Sequence, residues 1–414
     1  MKPIFANIFT TLHADLAKQA ASFLLPWNRS QWKNGTDNHM FIETFRKVVN
    51  IDESYCVVPM YNARSALYHG LKTLDIGPWD EVLLQAYTCI SVPNAIIATW
   101  ATPVYVDIDM QTANIDPTLL EVSITKNTKA ILIQHTFGIV ADIHRVQKVC
   151  KRHDLLLIED CAHALWATYT WQSVWTFGDM ALFSLGRDKV LTTTNGGILL
   201  MPKQYKKACK AIEASLHMPS TWVILQNVLY MVLGWIAYRT YAVKVGKILY
   251  YIAAKTKLLP LIITPAEKSC SFTNFSLWYP NVLAKLATTQ LRRLPEITQH
   301  RRSGAQMYVE ALWDSIVVPM QDGDVYLRVI YTTNSQQDFI REAKKHSIHL
   351  WDPWYDKVIA WRWVDVADAW YTMGSCPYAQ ELAWTTINLP NHMLMDRQDY
   401  TRVIQTIQHI RNIL

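Results

Sequence analysis

The chain has 414 residues, of which 50% are hydrophobic, only 18% charged and 17 are tryptophan. That length fits two or three domains, or one large domain with a smaller companion, and so much apolar material excludes intrinsic disorder. Seven cysteines without a CxxC pair argue against a disulfide-stapled secreted module and for a reducing cytosol, while a net charge of +6 with no long basic run permits anionic ligands but gives no footprint of nucleic-acid binding.

Residues 1–50 predict an N-terminal helical arm. Phe5, Ile8, Phe9, Leu12, Leu16 and Phe23 fall near helical spacing. Asp15 and Lys18 interrupt the apolar stretch and no small-residue cleavage site follows, so a signal peptide is the poorer reading. The arm's apolar face would meet the domain, another subunit or a lipid surface. Residues 51–295 read as a large domain. Between about 54 and 200, short apolar runs (Val82–Leu84, Val104–Val106, Ala130–Gln134, Leu155–Glu159) alternate with helical stretches such as Ser65–Leu74 and Ile143–His153. This pattern predicts an α/β fold with a mostly parallel central sheet. Ligands of such sheets gather beyond the carboxyl ends of the strands, which makes Tyr87-Thr88, Asp107, His135 and Asp160 the first residues to consider.

Residues 214–266 form an insertion of different character. They hold no Asp or Glu but carry Arg239, Lys244, Lys247, Lys255 and Lys257, and 218–238 has no charged side chain at all. Two readings stand: a buried helical insertion or subunit contact, and an interfacial helix that brings 222–263 to a membrane surface. Gln226, Asn227 and Gly234 weaken the case for a spanning helix. Beyond 270, Leu283–Leu294 and the Arg-rich stretch after it predict one long helix. Residues 296–414 read as a small C-terminal α/β domain, with strands near 325–332 and 386–389 and helices near 336–346, 376–386 and 397–412. Trp351-Asp352-Pro353-Trp354-Tyr355 and Trp361-Arg362-Trp363 either line an acceptor site or belong to core or interface.

Four local features carry chemistry. Tyr61-Asn62-Ala63-Arg64-Ser65 is a polar turn opening a helix, whose free N–H groups suit a phosphate; a plain helix cap is the alternative. Asp160 ends the apolar run Leu155–Glu159, where a carboxylate holds a cationic ring nitrogen, caps a helix or, with His163 as the one close second ligand, meets a metal. Lys189 follows Ser184 by five residues in a turn-prone segment; a lysine kept in a pocket can attack a carbonyl, whereas most lysines are surface residues. His135-Thr136-Phe137-Gly138 would put an imidazole over a ligand or close the end of a strand.

In order and spacing, these pieces resemble the DegT/StrS sugar aminotransferases, a family of fold-type I pyridoxal-phosphate (PLP) enzymes. The resemblance runs through Leu74-Asp75-Ile76-Gly77-Pro78-Trp79-Asp80-Glu81-Val82, Ala101-Thr102-Pro103-Val104-Tyr105-Val106-Asp107, Ile158-Glu159-Asp160, Phe177-Gly178-Asp179, Phe183-Ser184, Lys189 and Gly196-Gly197 to Gln290-Leu291-Arg292-Arg293-Leu294 and Leu389-Pro390. It implies a homodimeric, PLP-dependent aminotransferase that moves an amino group from glutamate to a nucleotide-linked keto-sugar. Lys189 would be the Schiff-base lysine and Asp160 the partner of the pyridine nitrogen. Ser184 with the amides of Ala63 and Arg64 would hold the phosphate, and His163 would lie beside the ring. The resemblance departs at Ala63-Arg64, where the family has Gly-Thr. It departs again at Cys89, where an aromatic ring often stacks on the cofactor and Tyr87 is the substitute to consider. A third departure is Thr273-Asn274-Phe275-Ser276-Leu277-Trp278, where the family reaches the partner subunit's phosphate. The expected location is cytoplasmic, extending to a peripheral position on the inner face of the membrane. The competing readings are another PLP-dependent transaminase or lyase, and a membrane-associated, non-catalytic relative.

Overall fold

The computed structural model describes residues 2–7, 11–272, 274–316, 321–350, 357–360 and 364–414. Seven strands build the central sheet: β1 (Tyr55–Met60), β2 (Glu81–Gln85), β3 (Thr102–Val106), β4 (Thr128–Gln134), β5 (Leu156–Asp160), β6 (Met180–Ser184) and β7 (Gly197–Pro202). Their order is β1-β7-β6-β5-β4-β2-β3, and β7 alone runs against its neighbours. The strands read as continuous apolar runs because both faces of the sheet are covered. Alternate side chains go to opposite faces: Val58, Leu84, Leu132, Ile158 and Leu182 to one, Val57, Leu83, Ile131, Leu157 and Phe183 to the other.

The longer helices of the large part are α1 (Ala14–Ser22), α2 (Asp37–Val49), α3 (Ala63–Thr73), α4 (Ser91–Ile97), α5 (Ile143–His153), α6 (Lys206–Ser215), α7 (Thr221–Thr240), α8 (Val245–Lys255) and α9 (Asn281–Leu291). Leu67 and Leu71 of α3 and Ile96 of α4 cover the first face. Phe41 and Phe45 of α2, Val146 of α5 and Leu283 of α9 cover the second. The later part holds α10 (Leu294–Leu312), α11 (Gln336–Lys345), α12 (Pro377–Thr385) and α13 (Arg397–Arg411) around an antiparallel pair, β8 (Val329–Thr332) and β9 (Thr386–Leu389). Tyr308, Ile330, Phe339, Leu382 and Ile407 form its core.

The N-terminal segment differs from the expected single helix. Ile4–Phe5 is a short strand paired in parallel with Ile348–His349, and Phe5 stacks on the His349 ring at 4.7 Å. The helix starts only at Ala14, where His13 Nδ1 accepts the Leu16 N–H at 3.2 Å. Ile8 and Phe9 lie outside the described residues, as do Thr273, Trp351–Asp356 and Trp361–Trp363. The long helix expected from Leu283 onward is two helices. It breaks at Arg292-Arg293, and Pro295 sits in the first turn of α10, where its missing N–H costs nothing.

The insertion is a helical hairpin, α7 and α8. Ser220 Oγ caps α7 by accepting the Val223 N–H at 3.3 Å. Ile224, Val228, Met231 and Ala237 join the main core, and α7 packs on α1 and α8. A side chain at Gly246 would collide with the backbone of Ala237, so glycine is what lets the two helices touch there.

Candidate active site

Sheet register brings the chemistry to one rim. Gln134 lies beside Asp160, and Asp160 beside Leu182, two residues before Ser184. Ser184 lies opposite Gly197, and Gly197 opposite Met60, from which the chain turns through Tyr61-Asn62 into α3. A side chain at Gly197 would collide with the backbone of Asn62 and Ala63, so the start of β7 passes directly beneath the turn. Above this row opens a cleft. Ala63, Arg64, Asp160, His163, Ser184 and Lys189 all line it, together with Cys89, Gln134, Asn195, Ile262 and Ile263.

At the α3 end, Asn62 Oδ1 accepts the Ser65 N–H at 2.9 Å, which fixes the helix start at the cleft. Ser184 Oγ accepts the Gly186 N–H at 3.2 Å. Asp160 is buried, and its Oδ1 accepts the Ala162 N–H at 2.9 Å. Burial raises its pKa, while the Ala162 N–H, Lys189 and His135 act in the opposite sense.

Lys189 Nζ lies 2.6 Å from His163 Nε2. The hydrogen-bond pattern assigns the protons. The Phe137 N–H donates to His163 Nδ1 at 3.1 Å, so that nitrogen is unprotonated and Nε2 carries the ring proton. That proton faces the lysine, and the amine accepts it through a lone pair that only its neutral form has. Burial acts in the same direction: it lowers the Lys189 pKa to about 8, with Arg328 adding to the effect and Cys89, Asp160 and Asp188 opposing it. Burial, followed by Lys189 and Arg328, also pushes the His163 pKa well down. Both shifts favour the uncharged forms, so the neutral amine is far more accessible at Lys189 than at an exposed lysine.

The loop carrying Lys189 is held from below. Gln290 clamps the backbone of Thr192, its Oε1 accepting the N–H at 3.1 Å and its Nε2 donating to the carbonyl at 2.6 Å. Thr193 Oγ1 and Tyr279 Oη are 2.6 Å apart. The insertion forms the adjacent wall. Asn227 of α7 donates to Tyr61 Oη at 2.8 Å and accepts from Asn195 Nδ2 at 2.8 Å. The Arg187 guanidinium lies 4.0 Å from the Tyr230 ring centre and also donates to the Pro260 carbonyl.

The backbone of Arg64 opens α3 at the cleft, while its guanidinium pairs with the fully buried Glu267 in the turn after the insertion. His135 does not lie over a ligand. It is fully buried, accepts the Ala141 N–H at 3.2 Å and points at Glu159. Asp107 caps α12 by accepting the Tyr378 and Ala379 N–H groups at 2.9 and 2.8 Å, tying the two parts of the chain together. Tyr87 faces the second core, edge-on to Phe137, and so is no substitute for the ring absent at Cys89. Phe275 stacks on Tyr68 of its own chain at 4.3 Å. His135, Glu159 and Cys161 cluster closely enough to suggest a metal. The Glu159 carboxylate, however, accepts the N–H groups of Trp175, Phe177 and Gly178, which makes it a brace for that loop.

Residues 17–217 and 273–408 match the DegT/DnrJ/EryC1/StrS aminotransferase family. The chain belongs to this family. The match omits 218–272, the segment that carries α7 and α8. GDP-perosamine synthase of Caulobacter vibrioides is 39% identical over 163 residues, which is 38% of this chain and 43% of that protein. The spore coat polysaccharide biosynthesis protein SpsC of Bacillus subtilis is 41% identical over 160 residues, 39% of this chain and 41% of that one. The matched stretch thus spans about two-fifths of these curated relatives. The fold matches over nearly all of the chain. The aminotransferase TlmJ of Streptoalloteichus hindustanus superposes with a TM-score of 0.74 at 20% identity, covering all of both chains. The protein Spr1654 of Streptococcus pneumoniae in its PLP form gives 0.73 at 20% identity, over 99% of this chain and all of that one. The architecture is therefore that of the family's α/β aminotransferases.

Proposed function

We propose that the chain is a PLP-dependent aminotransferase that takes an amino group from glutamate and passes it to a nucleotide-linked keto-sugar. The observation that carries this reading is the buried amine of Lys189, its pKa lowered by burial to about 8, set in one cleft with the Asp160 carboxylate and the amino terminus of α3. The residues fit the cofactor. The start of α3 at Ala63 and Arg64, with Ser184 Oγ, offers donors and a positive dipole end to a phosphate. Asp160 offers a buried carboxylate to a protonated ring nitrogen, and such a pairing offsets the desolvation that raises its pKa. His163 offers a ring N–H beside it.

When bound, PLP supplies an electron sink for the substrate carbon that loses its proton. Lys189 would hold the cofactor's aldehyde end, since its neutral amine is the nucleophilic form and burial makes that form accessible. The same Nζ, inside the cleft, would hold or give up a proton beside the substrate carbon. His163, fixed by the Phe137 N–H, orients that amine. Ile262 and Ile263 exclude water from one wall. The sugar acceptor is supported by the family and by the GDP-sugar enzyme among the relatives. A homodimer and a cytoplasmic location belong to the same reading.

The test is a half-reaction. Holoenzyme mixed with glutamate should lose the spectrum of the lysine-attached cofactor and release one equivalent of 2-oxoglutarate. Addition of a nucleotide-linked keto-sugar should restore the spectrum, and Lys189→Ala should do neither. A spectrum unchanged by glutamate and by other amino donors would overturn the reading.

A further inference from the structure

We propose that the α7–α8 insertion docks the protein on an anionic lipid surface through the outer face of α8 and the loops on either side of it. The family match stops before this hairpin and resumes after it, so the family's fold does not require it. On its outer face Val243, Val245, Ile248, Tyr251, Ile252 and Leu261 are 50–70% exposed. Val245, Ile248, Ile252 and Lys255 repeat at helical spacing and share one side of α8, while Gly246 and Ala253 are buried. Arg239, Lys244, Lys247, Lys255 and Lys257 are all exposed, and residues 214–266 hold no acidic side chain. An apolar strip set among five cations is the surface that a negatively charged bilayer complements, with aliphatic side chains entering below the headgroups and lysines reaching up to them.

Charge decides against a second copy of the chain as occupant. A two-fold contact through this face would set five cations against five, and residues 214–266 bring no acidic side chain to offset them. Packing decides against a span. α7 is long and apolar enough to cross a membrane, yet Asn227 and Tyr230 on its inner side hold Tyr61, Asn195 and Arg187 at the cleft, and a spanning α7 would surrender all three contacts. The docked face is also close to the chemistry: Leu261 points outward, while Ile262 and Ile263, next in the chain, line the cleft. The inference rests on the insertion's own geometry and holds whether or not the cleft is a transaminase site.

The test is co-sedimentation of the full-length holoprotein with vesicles of phosphatidylcholine alone or mixed with phosphatidylglycerol. Binding to the mixed vesicles at low salt, release in about 1 M salt, where screening is nearly complete, and none to the neutral vesicles is the expected result. Lys244→Ala/Lys247→Ala/Lys255→Ala should weaken binding on the order of 100-fold. Ile248→Glu/Ile252→Glu should abolish it, with the melting temperature and cofactor spectrum unchanged because these side chains are exposed. Wild type left in the supernatant with anionic vesicles would overturn the proposal. So would variants that bind like wild type, protein that only detergent releases, or a dimer that Ile248→Glu dissociates in the absence of any vesicle binding.

Discussion

The lowered pKa of Lys189 makes a quantitative prediction about how the apoprotein takes up its cofactor. An ordinary lysine titrates near 10.5, whereas burial brings Lys189 to about 8. About half a unit below that midpoint, roughly a quarter of Lys189 is neutral, against about one in a thousand for an unperturbed lysine at the same pH. Cofactor-free protein mixed with PLP across a pH series should therefore attach it at a rate that rises with a midpoint near 8. His163→Phe removes the N–H that the neutral amine accepts. One such hydrogen bond contributes about 1 kcal/mol, so the midpoint should move up by somewhat under one unit. The sign for stability follows from the same shift. Between about pH 8 and 10.5 the unfolded chain still holds the proton that the folded chain has released, so this group adds stability as pH rises through the window and the gain is lost as pH falls back to 8. Lys189→Met should remove that slope from the apoprotein's melting curve. A wild-type attachment midpoint near 10, or one that His163→Phe leaves in place or lowers, would refute the proton assignment.

Three further substitutions test the supports of the site. Gly197→Ala forces a Cβ into the backbone of Asn62 and Ala63, and should cost about 1–3 kcal/mol in denaturant unfolding and weaken PLP binding by displacing the phosphate end. Arg64→Met leaves the Glu267 carboxylate buried without its partner, and should destabilise the protein by about 3–5 kcal/mol; Arg64→Met/Glu267→Met should recover much of that loss in the same assay. Asp160→Asn keeps the shape but removes the charge, and steady-state kinetics should find turnover reduced by about 10²–10³-fold with the cofactor still attached to Lys189.

What the sequence made legible depended on how local the signal was. Asp160 stood out because it closes an apolar run, and in a parallel sheet the carboxyl ends of such runs share one rim. Ser184 and Lys189 were singled out by the family resemblance, since spacing alone left an ordinary surface lysine as the alternative. The break before α10 was legible in principle, since Pro295 announces a new helix. His135 and Asp107 also end strands, yet they serve structural bonds, because rim position alone does not say which way a side chain turns. The partners of Arg64 and Tyr61 were not legible. Glu267 and Asn227 lie 203 and 166 residues away, and only the folded insertion brings them to the cleft. Asn227 left a faint trace as a polar residue in the uncharged stretch 218–238, where burial requires a hydrogen-bond partner. The strand at Ile4–Phe5 had no local trace either, because its partner is Ile348–His349.

The central claim is that Lys189 is the residue that holds the cofactor. Purified protein supplied with PLP, reduced with borohydride and digested should yield one modified peptide, with the cofactor mass on Lys189. Absence of bound PLP, or its mass on a different lysine, would contradict the account.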